Sequence, residues 1–171
     1  MRECSWEAGG LGLKLVMDMG LDVDAVNPPY GPENPFILAT GPPLGGTRIP
    51  LATRAAAIFK SPLTNRWSYS TVGGTLGGAY MKYSGVDVVV IRGVSAKPIH
   101  LIVGDGKVEI KDAGGDLWGL DTVETEHAIK REFRDAAVLT IGPAGENGVP
   151  YACIGHEEWR QFGRTGGPGG R

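Results

Sequence analysis

At 171 residues, 42% hydrophobic and 21% charged, the chain is the size of one domain around a single buried core. Its formal net charge of -2 provides no global field for a polyanion, which sets nucleic acid aside as a partner, and no apolar run approaches the roughly 20 residues of a membrane span. Glycine is the unusual component: 28 residues, about twice the ordinary share of roughly 7%, which implies many tight turns or close backbone approaches.

In chain order, Leu11, Leu15, Val16 and Met19 recur at helical spacing and predict a short helix from Gly9 to Met19. The prolines of 27–35 force a loop, and Phe36 to Thr40 follows as a buried strand closed by Gly41-Pro42-Pro43. A second strand is expected from Thr53 to Phe59, with turn chemistry from Lys60 to Asn65. Gly73-Gly74 opens a segment to Tyr83 that reads as a helix. Val86 to Arg92, Ile99 to Val103 and Val108 to Lys111 read as a strand meander, the last two joined across Gly104-Asp105-Gly106, a hairpin signal. Asp121 with Glu124 three residues on forms a capping box that starts a helix to about Arg134. Ala137 to Ile141 and Val149 to Ile154 complete the expected strands, around a glycine-rich turn at 142–147. Runs of strands with few long helices favour an α+β fold.

Three clusters combine glycine with a fixed positive charge: Arg54 at a strand start, Thr71-Val72-Gly73-Gly74 at an expected helix start, and Arg160-Gln161-Phe162-Gly163-Arg164 before the terminal glycine run. Glycine lets main-chain N–H groups reach a ligand, and arginine offers a planar fork for phosphate, so the clusters read as a site for a phosphorylated cofactor. The competing reading is solvated arginines and structural turn glycines. Neither a dinucleotide fingerprint nor a Walker loop is present around Gly73-Gly74-Thr75-Leu76-Gly77-Gly78. Cys4 and Cys153 lack the spacing of a zinc or iron-sulfur site and read as ordinary thiols. His100, His127 and His156 share no ligand spacing and suit surface or helix-face positions. Asp121, Glu124 and Glu126 suit a helix start rather than catalysis, and Lys60, Lys82 and Trp67 could border a cleft but serve equally as surface or core residues.

Taken in order, Gly9-Gly10-Leu11-Gly12-Leu13, Pro32-Glu33-Asn34, Ala39-Thr40-Gly41-Pro42, Lys60-Ser61-Pro62-Leu63-Thr64, Gly73-Gly74, Lys82-Tyr83-Ser84-Gly85-Val86-Asp87, Lys97-Pro98, Leu117-Trp118-Gly119, Glu124-Thr125-Glu126, Ile141-Gly142-Pro143-Ala144-Gly145-Glu146-Asn147 and Gly163-Arg164 resemble the amino-terminal domain of the aldehyde:ferredoxin oxidoreductase family. The likeness runs from about Gly9 to Gly170.

The resemblance implies two intertwined α+β repeats whose sheets form a base under a tungsten or molybdenum bis-pterin (molybdopterin) cofactor. It implies an oxidoreductase that converts aldehyde and water to carboxylic acid and passes electrons to ferredoxin through a 4Fe-4S cluster whose ligands lie outside this chain. By position, cofactor contacts carry over to Arg54, Thr71, Gly73, Arg160, Gln161, Gly163 and Arg164, and magnesium bridging the pterin phosphates to the carbonyls of Thr71 and Gln161. No residue of this chain is assigned to catalysis. Family members commonly carry Arg where Leu11 stands, Asn where Thr71 stands and Ala where Gln161 stands.

The resulting expectation is a single pterin-binding amino-terminal domain over 1–171, truncated at both ends relative to the family, soluble, cytoplasmic, without nucleic acid or membrane partners, and compatible with a homodimer. Its partners would be ferredoxin, an aldehyde and the missing carboxy-terminal domains. The alternatives are the same domain from an aromatic-thioester reductase subunit, or a non-catalytic remnant or interaction module.

Overall fold

The computed structural model describes residues 8–21, 29–45, 54–72, 77–156 and 161–163. Helix α1 (Ala8–Asp18) is followed by strands β1 (Phe36–Ala39), β2 (Ala55–Lys60) and β3 (Trp67–Val72). Helix α2 (Gly77–Tyr83), strand β4 (Val88–Ile91) and the hairpin β5 (Ile99–Gly104) and β6 (Lys107–Asp112) come next. Helix α3 (Thr122–Glu132), strand β7 (Leu139–Thr140), helix α4 (Pro143–Glu146) and strands β8 (Ile154–His156) and β9 (Gln161–Gly163) complete the described chain. Helices and antiparallel sheets are mixed along the sequence, and the fold is α+β.

A four-stranded antiparallel sheet in the order β3-β2-β1-β4 carries the core. Every residue of β2 is buried, because both faces of this inner strand are covered. On one face Ile37, Ala39, Ala56 and Ile58 pack with Val16 of α1. On the other, Ala57, Phe59 and Val72 meet Phe36 and Leu38, with Phe36 and Phe59 stacked at 6.2 Å. Alternation along β3 places Trp67, Tyr69 and Thr71 on the α1 side, opposite Lys60, Ile58 and Ala56.

Gly12 brings α1 down onto this sheet. A β-carbon there would lie 2.2 Å from Ile58 Cδ1, so only glycine permits the approach. The loop before β1 is fixed by Asn34, whose side-chain amide donates to the carbonyls of Pro29 (2.7 Å) and Lys60 (3.0 Å) while its oxygen accepts from the Lys60 N–H (3.0 Å). The turn after β2 closes through Ser61 N–H to the Arg66 carbonyl and Asn65 N–H to the Ser61 carbonyl, both 2.8 Å, with Asn65 at φ 53°.

The β5-β6 hairpin turns on Asp105 and Gly106, both at positive φ as a two-residue type I′ turn requires. The capping box of α3 also forms: Asp121 accepts from the N–H groups of Val123 and Glu124, and Glu124 accepts from the Asp121 N–H. Helix α3 lies on a third sheet, in the order β7-β8-β9.

Several expectations change. Residues Thr71 and Val72 end a strand, β3, rather than opening a helix, and α2 starts at Gly77. The expected meander is divided: β4 pairs with β1, and β5 pairs with β6 in a separate sheet. The strand expected at Val149 to Ile154 is irregular up to Cys153, with β8 beginning only at Ile154, and the glycine-rich turn at 142–147 contains α4, started by Pro143 at its first turn. His156 is buried on β8 rather than at the surface. Lys60 is likewise buried, and so does not border an open cleft.

Candidate functional site

A cavity of about 260 Å³ opens where the amino-terminal end of α1 meets the sheet. Its wall includes Gly9 of α1, Leu44 from the turn after β1, Arg54 just before β2, Ala56 of β2, and Tyr69 and Thr71 of β3. Strand alternation explains the grouping. Ala56 stands opposite Thr71, Arg54 precedes Ala56 by two residues, and Tyr69 precedes Thr71 by two, so the four side chains share the face that α1 covers.

The charge balance at this cavity favours an anion. Arg54 is exposed and has no carboxylate partner among the described residues. The first turn of α1 carries no acidic residue. Its leading N–H groups have no acceptor within the helix, and the helix dipole makes that end positive. A fixed guanidinium and a helix start on one wall suit phosphate or a similar oxyanion.

Two of the seven sequence-assigned contacts, Arg54 and Thr71, therefore line one cavity. Gln161 and Gly163 lie on β9, which packs against β3, the strand that carries Thr71. Strands far apart in the sequence thus meet at this edge of the four-stranded sheet. Gly73, Arg160 and Arg164 lie outside the described residues, as does Cys4. Leu11 sits half-buried in the first turn of α1 and is not among the residues lining the cavity.

The remaining candidates have structural roles. Lys82 pairs with Asp87, Glu126 is buried and pairs with Lys130 at 2.7 Å, and Trp67 packs against the α1-side core. His127 is exposed on α3 and His100 is half-buried on β5. Among the described residues no group of three His, Cys, Asp or Glu side chains is arranged to hold a metal ion, and no helix is long and apolar enough to cross a membrane. Sequence reasoning passed over Gly9 and Tyr69 as parts of one wall, although the spacing of Trp67, Tyr69 and Thr71 is the period of a strand.

Comparison with known proteins gives this geometry a family. Residues 6–169 match the model of the aldehyde ferredoxin oxidoreductase N-terminal domain, and the chain belongs to that family. It is 40% identical over 159 residues to a tungsten-containing aldehyde ferredoxin oxidoreductase of Thermococcus kodakarensis, covering 92% of this chain and 25% of that protein. A protein of the same description from Pyrococcus furiosus is 37% identical over 159 residues, again with 92% and 25% coverage. Among solved structures, the active-site complex BamBC of benzoyl coenzyme A reductase, in complex with 1,5-dienoyl-CoA, superposes with a TM-score of 0.83 at 35% identity, covering 94% of this chain and 24% of that one. The chain thus spans about a quarter of the length of the relatives it matches.

Proposed function

We propose that residues 1–171 act as the cofactor-holding amino-terminal domain of a tungsten- or molybdenum-pterin oxidoreductase that converts an aldehyde and water to a carboxylic acid, with ferredoxin as electron acceptor. The observation that carries this reading is the shared cavity of Arg54 and Thr71 beside the start of α1, within a chain whose long relatives are described as tungsten-containing aldehyde ferredoxin oxidoreductases. The fit is chemical. The phosphate of a pterin cofactor needs a fixed cation and N–H donors, and Arg54 and the main-chain N–H groups of the first turn of α1 would supply them.

In this reading Arg54 neutralises a phosphate, and the main-chain oxygens of Thr71 on β3 and of Gln161 on β9, a strand in contact with β3, would hold a magnesium ion. Gly73, Arg160, Gly163 and Arg164 are assigned to the same cofactor. At about 260 Å³ the cavity falls below the roughly 300–1,000 Å³ of a typical ligand pocket, which suits one arm of a larger cofactor. When bound, the metal-pterin group supplies the redox centre, and the 4Fe-4S cluster draws its ligands from elsewhere in the longer protein. A cytoplasmic location is consistent with the free thiol of Cys153.

The test is anion binding by the purified chain. Calorimetric titration with inorganic pyrophosphate should show saturable binding that Arg54→Ala weakens by about tenfold, the size expected for a charge-assisted contact. Absence of saturable binding to the parent chain would overturn the reading. A second reading keeps the domain and changes the reaction to aromatic-thioester reduction, favoured by the superposition on the benzoyl coenzyme A reductase complex. Assays of the longer protein with an aldehyde and with an aromatic thioester separate the two.

A further inference from the structure

We propose that Tyr69 is a further cofactor contact, its ring serving as the platform on which a planar heterocycle of the ligand stacks. The proposal rests on the cavity being the pterin site and adds to it a residue outside the seven assigned contacts.

Tyr69 lies on the α1 side of the four-stranded sheet, yet it is 58% exposed, whereas its cross-strand neighbour Ile58 is fully buried. The difference arises at the start of α1. Gly9 faces the ring at a distance that a β-carbon would fill in ordinary van der Waals contact, 3.4 Å from Cδ2 and 3.6 Å from Cε2, while the ring also forms part of the cavity wall. With no side chain at Gly9 to cover it, the ring stays open to whatever the cavity holds.

An open aromatic surface attracts either a cation or another flat ring. Arg54 on the same wall repels a cation. It does not itself cover the ring, since among the described residues the cation lying over an aromatic ring is Lys111, over Phe133. A planar, polar heterocycle carrying phosphate satisfies both neighbours, with the ring on Tyr69 and the anion at Arg54. Thr71 lies between the two functions: it pairs with Ala56, and Arg54, two residues before Ala56, stands four strand positions from Tyr69, about 13 Å, so ring and phosphate would occupy opposite ends of the cavity wall.

The experiment uses the full 171-residue chain and two probes, 6-hydroxymethylpterin for the ring and inorganic pyrophosphate for the anion, with binding read by pterin fluorescence and by calorimetry. Tyr69→Leu should weaken the pterin probe by about tenfold while changing pyrophosphate binding by less than about twofold, and Tyr69→Phe should bind both as the parent does. If Tyr69→Leu fails to fold, Tyr69→Met provides the same comparison, because it fills the volume without a flat surface. Pterin binding unchanged in the leucine or methionine variant, lost in the phenylalanine variant, or absent from a parent chain that binds pyrophosphate would overturn the role of Tyr69 and leave the anion site standing. Failure of the parent to bind either probe would overturn both.

Discussion

Gly12 of α1 lies against Ile58 of β2 with no room for a methyl group: a β-carbon would stand 2.2 Å from Ile58 Cδ1 and 2.7 Å from its Cγ1. Ile58 is fully buried and has little space in which to yield. Alanine in place of glycine favours a helix by up to about 1 kcal/mol, whereas overpacking a core costs about 1–3 kcal/mol. Gly12→Ala should therefore lower stability by about 1–2 kcal/mol in denaturant unfolding. Ile58→Val removes the nearest offending atom, so the double variant should be more stable than the sum of the single effects predicts. Simple additivity would show that the contact does not set the position of α1.

Asn34 joins the loop before β1 to both polar main-chain groups of Lys60. Asn34→Ala should destabilise by about 2–3 kcal/mol, because the buried partners lose their hydrogen bonds without gaining water. Asn34→Asp keeps the acceptor for the Lys60 N–H and removes the amide donor. Hydrogen exchange at the Lys60 amide should accelerate in the alanine variant and less in the aspartate variant.

Asp121 accepts two main-chain hydrogen bonds of 2.8 Å at the start of α3. Asp121→Ala should cost about 1 kcal/mol and lower Tm by about 2–4 °C at this chain length. Asp121→Ser, which preserves a capping acceptor, should recover most of the loss in the same thermal melts.

A cubane iron-sulfur cluster takes four thiolates, and the chain contains two cysteines, Cys4 and Cys153. The anaerobically purified monomer should hold neither iron nor acid-labile sulfide in stoichiometric amount. Iron and sulfide near the content of one cluster per chain would contradict this expectation.

Local chemistry was the readable part of the fold. The Asp105-Gly106 hairpin, the Asp121 capping box and the helical spacing of Leu11, Leu15 and Val16 each act within a few residues, and each appears in the structure close to where it was expected. Strand β3 was missed: Trp67, Tyr69 and Thr71 alternate at the period of a strand, but the glycine pair after them invited a helix start instead. The partners of β4 were not legible: Val88–Ile91 suits a meander with β5 as well as it suits β1, and only packing in the assembled sheet selects β1. Strands β8 and β9 are three residues each, too short to leave a period, and their register comes from β7 and from each other. At the site, Arg54 announced itself by charge. Gly9 and Tyr69 did not, because their relationship exists only once α1 has settled on the sheet.

The contact between β3 and β9 joins stretches of chain separated by about 90 residues, and closing a loop of that length carries an entropic penalty of several kcal/mol before any contact repays it. These neighbours should consequently meet late in folding, after the local hairpin and α3 have formed. A molecule that touches both sides of the junction opposes their separation, and each tenfold excess over its dissociation constant adds about 1.4 kcal/mol to the resistance. Occupancy would thus act as a folding checkpoint: the chain reaches its full resistance to unfolding and proteolysis only after the ligand has arrived.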